Sequence, residues 1–325
     1  MSHGLGAAGR AWLVVGMACA APAAAASPEL PPSAYIFYEA VTKGDTATVR
    51  SLLADTPGFA TLKFKNNVTA LHAAALADEP STVEMLIRRG AFVDARGGQQ
   101  RLTPLFLAVQ QGHARVAEAL LAHRADPNAT GSVPGDGGAD NMRPLHIAAI
   151  SGRTDISELL IQHGAIIGPK SSSGETACDY ARRVGGISVM LMLEAYRTLG
   201  VVRGRPVAAL IRAIESSDSA AVESLLTKQP ALANFRLDGA WTPLHYAATV
   251  GNQTTCDVLI AHHADPRAKE AATQWTPALR AFDAGHSALC EYLRLFEADP
   301  PPTRPLPRRG RDGCRACAFL TRLAT

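Results

Sequence analysis

The sequence predicts an all-α solenoid of about eight helix-turn-helix units joined by hairpin loops. Three observations lead there. A short signature, Thr-Pro-Leu-His in its fullest form, recurs through most of the 325 residues. The recurrences are spaced by 33 or 34 residues or by simple departures from that spacing. The composition is 47% apolar, 19% charged and only 6% aromatic, with Ala and Leu dominant, which suits small-residue helix packing and rules out wholesale disorder.

The signature stands as Thr69-Ala70-Leu71-His72, Thr103-Pro104-Leu105-Phe106, Arg143-Pro144-Leu145-His146, Thr176-Ala177-Cys178-Asp179, Thr242-Pro243-Leu244-His245 and Thr276-Pro277-Ala278-Leu279. The intervals between their first residues are 34, 40, 33, 66 and 34. The interval of 40 is one period plus an insertion, and that of 66 is two periods with a degenerate unit between. Two further units announce themselves by matching each other: Gly44-Asp45, Val49, Ser51-Leu52-Leu53 and Pro57 against Ser217-Asp218, Val222, Ser224-Leu225-Leu226 and Pro230. Counting back puts their starts near Tyr35 and Ala208, and eight units then run from about 35 to 297.

Each element has a local reason. Thr242 caps the first helix of its unit through the hydroxyl, and Pro243 suits the first turn, where no N–H partner exists. Gly251 supplies the left-handed residue that ends that helix. Leu259 and Ile260 provide the apolar face of the second helix, which one unit alone cannot bury and stacked neighbours do.

The ends differ from the body. Residues 1–26 read as a secretory signal: Arg10, then the apolar Ala11–Ala20, then Ala24-Ala25-Ala26 before Ser27. The apolar stretch is shorter than the roughly 20 residues a membrane span needs, and no other stretch is longer, so no integral membrane span is expected. Gly16-Met17-Ala18-Cys19 is a poor lipoprotein box, with Gly where Leu belongs, and a lipid anchor at Cys19 is not expected. Residues 27–33 are a linker. The repeats are expected in two blocks, 34–200 and 201–297, with a bend near Gly200–Arg205. Residues 298–325, with Pro300-Pro301-Pro302 and six Arg against one Asp from Pro300 onward, form a Pro/Arg-rich tail expected to be disordered and solvated. Ser27 to Asp299 holds 25 Lys and Arg against 28 Asp and Glu, a slightly acidic body that argues against a nucleic-acid partner.

These motifs resemble the ankyrin repeat over roughly 80% of the chain. Thr242-Pro243-Leu244-His245-Tyr246-Ala247-Ala248 carries the resemblance most fully, with Gly112-His113, Gly285-His286 and Leu159-Leu160-Ile161-Gln162-His163-Gly164-Ala165 in support. The resemblance implies a hairpin turn and two antiparallel helices per unit, and a concave binding surface made by hairpin tips and first helices. It also implies that His72, His146 and His245 bond to backbone and Thr near the hairpin.

Repeat position accounts for nine of the ten His, because His113 and His286 follow turn glycines, and His123, His163 and His262, with His263, end second helices. Stacked helices lie about 8–10 Å apart, far beyond what two ligands of one zinc ion bridge, so no metal or cofactor is expected. The same spacing argues against a disulfide between Cys256 and Cys290, and with Cys178 they read as small buried hydrophobes. Cys314-x-x-Cys317 is one isolated pair, the basis of a weaker redox or metal alternative. No nucleophile elbow, phosphate loop or HExxH occurs, so no enzyme is expected.

The expected function is non-catalytic binding of another protein by an exported, periplasmic or secreted, monomeric chain of bacterial type. Trp241 and Trp275 fall just before the Thr-Pro of consecutive units and are chosen as anchors, Trp being frequent among binding hot spots; the structural alternative packs each ring on the neighbouring hairpin. Thr130–Asp140 inserts about seven flexible residues at one hairpin tip. Arg101, Gln110, Gln111, Met142 and Arg143 are placed beside it as a polar, adaptable surface, extended by Lys65 and Asn66. Neutralisation of a toxin or enzyme in the manner of an immunity protein, and scaffolding of an envelope or stress-response partner, are the two sharper forms of this expectation.

Overall fold

The computed structural model describes residues 30–133, 139–236, 241–271 and 273–297. The signal-like segment, the tail and the Cys314/Cys317 pair lie outside them. The chain divides into two compact units, Met1–Leu193 and Glu194–Thr325.

In the first unit helices come in antiparallel pairs: α1 (Pro32–Thr42) with α2 (Thr46–Asp55), α3 (Ala70–Leu76) with α4 (Pro80–Arg88), α5 (Pro104–Gln111) with α6 (Ala114–Ala122), and α7 (Pro144–Ile150) with α8 (Thr154–Gln162). Helix α9 (Ala177–Arg183) follows, and α10 (Ile187–Glu215) begins in the first unit and ends in the second. First helices stack on first helices, α1 on α3, α3 on α5, α5 on α7 and α7 on α9, and second helices form a parallel layer, α2 on α4, α4 on α6 and α6 on α8. The core lies between the layers. It is built from the small residues of the first helices, Ala74, Ala108 and Ala148, against Leu86, Leu120 and Leu160 of the second, all fully buried.

The second unit repeats the pattern with α11 (Ser219–Lys228), α12 (Pro243–Val250), α13 (Gln253–Ala261), α14 (Pro277–Asp283) and α15 (Ser287–Glu297). Among the described residues twelve of the fifteen α-helices pack as six pairs, and each unit is built of all-α helix-turn-helix repeats.

Two departures from expectation have physical reasons. Helix α10 runs through the junction of repeats 5 and 6 with no hairpin, broken only at Gly200 (φ 72°, ψ 173°). Gly200 occupies the place that Gly90 and Gly164 hold after earlier second helices, all with positive φ, and the next helix starts directly behind it rather than near Ala208. The insertion at Thr130–Asp140 is not wholly irregular. Strands β1 (Gly131–Val133) and β2 (Ala139–Met142) pair antiparallel, with Gly131 opposite Met142, so the extra residues lengthen a hairpin; residues 134–138 lie outside the description. Elsewhere the hairpins close on single bridges, Lys63 to Thr69, Gly97 to Leu102 and Lys170 to Thr176.

The local capping is as the residue types dictate. Thr103 and Thr242 accept from the backbone N–H of Phe106 and His245, and Gly251 ends α12 at φ 84°. Cys178, Cys256 and Cys290 are buried and unbridged, and burial pushes the Cys256 thiol pKa up. The last repeat is expected to act as a terminal cap through Phe282, Tyr292, Leu293 and Leu295. Leu293 is buried and Tyr292 donates to Asp257 Oδ1 at 2.6 Å, but Phe282 and Leu295 are exposed.

Candidate protein-binding surface

Three first-helix histidines each tie one repeat to the next. Nε2 of His72 donates to Leu102 O at 3.1 Å, that of His146 to Pro169 O at 3.2 Å, and that of His245 to Trp275 O at 3.1 Å. A carbonyl only accepts, so the ring proton sits on Nε2, and Nδ1 accepts from the backbone N–H of Thr69, Arg143 and Thr242 respectively. Burial lowers the pKa of all three, that of His72 to about 4. With both nitrogens engaged, these rings hold hairpins in place, the role the family resemblance implies. Among the described residues no group of three His, Cys, Asp or Glu side chains gathers closely enough to hold a metal ion. No helix among them is long and apolar enough to cross a membrane.

The polar row of the first unit divides into two places. Lys65 and Asn66 lie exposed in a one-turn helix at a hairpin tip, where Asn66 takes φ 58° and its carbonyl accepts from Gly98 N at 2.9 Å. Arg101 is exposed at the next tip, with φ 54°. Arg143 is half-buried, its Nη1 3.4 Å from Asn128 Oδ1. Gln110 and Gln111, also half-buried, end α5 at the opposite end from its hairpin, about 10 Å along the axis at 1.5 Å per residue. Met142 is only 1% exposed and so is no part of an accessible surface. It fills the place that Leu102 fills one repeat earlier, just before the helix cap, where an apolar side chain is buried.

The second unit gathers its site residues more tightly. Trp241 and Trp275 are both half-buried, neither sealed nor free. A single guanidinium, that of Arg280 on α14, stacks with both, 4.6 Å from the Trp241 ring centre and 4.8 Å from that of Trp275. Its Nε and Nη2 donate to the two carboxylate oxygens of Glu270, the latter at 2.7 Å, and Nη1 lies 3.5 Å from Asp283 Oδ2. Glu270 is 2% exposed. It belongs to the same hairpin as Trp275, since its N–H donates to Trp275 O at 3.0 Å and Thr273 Oγ1 donates to its Oε2 at 2.7 Å. Burial would raise the Glu270 pKa, but Arg280 and Thr273 together hold it below the usual range. The Trp241 ring also lies 6.2 Å from that of His245.

Neither Arg280 nor Glu270 is among the residues that the sequence singles out. The available signal is positional. Arg280 stands where the other repeats with a hairpin place Ala73, Leu107, Ile147, Tyr180 and Tyr246, all buried, and a lone Arg in that column demands a counter-charge.

The comparisons with known proteins concern the repeats themselves. A 63-residue stretch, 19% of the chain, is 44% identical to human palmitoyltransferase ZDHHC13, covering 10% of that protein. A 64-residue stretch is 42% identical to zebrafish (Danio rerio) palmitoyltransferase ZDHHC17, 20% of this chain and again 10% of the relative. The chain thus spans about a tenth of the length of the curated relatives it matches. Family models described as "Ankyrin repeats (3 copies)" match residues 37–131 and 210–303, and "Ankyrin repeats (many copies)" match 105–161. More than half of the chain is covered, and it belongs to the ankyrin-repeat family.

Proposed function

We propose that this chain is an exported, non-catalytic module of bacterial type that binds another protein through the concave face of its repeats, anchored by Trp241 and Trp275. Ankyrin repeats make a protein-interaction module of it, and recognition by shape and a few anchors requires no bond to be made or broken. The observation that carries the choice of anchor is the half-exposed indole pair held across two consecutive repeats by Arg280. Fixed aromatic rings at a partly desolvated place are what interface hot spots are made of. Export rests on the order of residues 1–26: a cation, a short apolar stretch and a small-residue cleavage site before Ser27.

Affinity capture from envelope extract, with the Trp241→Ala/Trp275→Ala variant as control, tests the binding reading. One tightly held partner lost in the variant marks an inhibitor; several partners retained by the variant mark a scaffold and remove the anchor role from the indoles. Cell fractionation with N-terminal sequencing tests export. A mature start near Ser27 is expected, and a cytosolic product beginning at Met1 would overturn it.

A further inference from the structure

We infer that Arg280 is the residue that makes Trp241 and Trp275 a single preformed anchor, by filling a guanidinium site between the two indoles from within the chain. The inference rests on the reading of the indole pair as the binding anchor and assigns what governs it.

The site has the parts of a cation receptor. Two indole rings flank one guanidinium at 4.6 and 4.8 Å, and a carboxylate that is 2% exposed takes two of its donors. The third donor direction points to Asp283. In-plane donors are thus spent on carboxylates, while the planar π surface is left to the rings, a division that Arg can make and Lys cannot. Four of the five groups that meet there come from one segment, Glu270 to Asp283, and the fifth, Trp241, is the residue just before the cap of α12. The guanidinium therefore staples the start of α12 to the segment before α14, at the same junction that His245 bridges by its bond to Trp275 O.

Two consequences follow. The rings are ordered before any partner arrives, so binding does not have to immobilise them. And the cation slot is already occupied, so what the anchor offers a partner is indole surface rather than a place for its Lys or Arg.

The test uses the full chain carrying Trp12→Phe, so that only the two indoles emit. Near-ultraviolet circular dichroism and acrylamide quenching are read for this parent, for Arg280→Ala and for Arg280→Lys, with methylguanidinium as the probe. In Arg280→Ala quenching should rise about twofold and the indole dichroism should largely vanish as the staple is lost. Methylguanidinium at tens of millimolar should restore both in that variant and leave the parent unchanged. Arg280→Lys should resemble Arg280→Ala rather than the parent, and it carries the comparison should the alanine variant lose its far-ultraviolet spectrum. Parent-like spectra in folded Arg280→Ala or Arg280→Lys, or an equal response of parent and variant to methylguanidinium, would overturn the inference. Spectra that behave as expected, with partner affinity unaffected by Trp241→Ala/Trp275→Ala, would leave the staple standing and remove the anchor reading instead.

Discussion

Met142 in the first unit and Trp241 in the second occupy the same place in their repeats, one residue before the cap of the first helix, and they behave oppositely. Met142 is swallowed between hairpins, as Leu102 is. Trp241 and its counterpart Trp275 stay half out, with an arginine laid across them. Repeat position alone therefore does not decide exposure. In the same column Val68 and Glu175 are also half-buried. The first unit uses the position for packing at Leu102 and Met142. The second unit turns it into a stacked cluster around one guanidinium.

The contrast can be broken most severely at Arg280. Arg280→Ala leaves the Glu270 carboxylate buried without its partner, and urea unfolding of that variant should show a loss of about 3–5 kcal/mol. Arg143→Ala, on the first unit's surface with a 3.4 Å contact to Asn128, should cost no more than about 0.5 kcal/mol by the same measurement. Similar losses from the two would erase the distinction between the regions.

Acid should weaken the hairpin ties. Unfolded His binds its proton near pH 6.5, while buried His72 does so near 4, so the unfolded chain takes up more protons between these values. The stability His72 contributes is complete above about pH 6.5 and is lost as pH falls toward 4, up to about 3 kcal/mol. His146 and His245 act in the same direction. Urea midpoints compared between pH 7 and pH 4.5 should fall in the parent and fall less in His72→Gln; an equal fall would remove His72 from the account.

Met142→Ala should cost about 2–3 kcal/mol because it removes a buried apolar side chain, while Gln111→Ala should be near neutral. A neutral Met142→Ala would return that residue to the surface. The smallest change is of opposite sign. Thr82 and Thr255 hold one position in α4 and α13, where α6 and α8 carry the buried Val116 and Ile156, and their hydroxyls are buried without a hydrogen bond. Thr82→Val and Thr255→Val should each stabilise their unit by about 1 kcal/mol in thermal or urea melts; destabilisation would mean that the hydroxyls have partners.

The fold was largely legible from residues because its punctuation is chemical. Thr103 and Thr242 cap, Pro104 and Pro243 open helices, Gly251 closes one, and each recurs at a fixed interval, so repeats and their order could be counted. The missing hairpin at Gly200 was not legible, since its glycine looks like any other end of a second helix and only the absence of loop residues behind it tells otherwise. The site was legible in part. The two Trp could be picked out by position. Their partner could not, because the pairing of Arg280 with Glu270, ten residues apart, arises only when the hairpin folds back on the helix it precedes. The column of apolar residues that Arg280 interrupts is the trace it leaves in the sequence. Repeat register places Gln110 and Gln111 beside the insertion, whereas a helix carries them to its far end.

The central claim is that the indole pair anchors a partner protein. Calorimetric titration of the captured partner against the parent and against Trp241→Ala/Trp275→Ala tests it most directly. Two hot-spot rings at about 2 kcal/mol each predict a loss of affinity of roughly a thousandfold, with the far-ultraviolet spectrum unchanged. An affinity within about twofold of the parent would contradict the claim, since each ring would then contribute well under a hot spot's share.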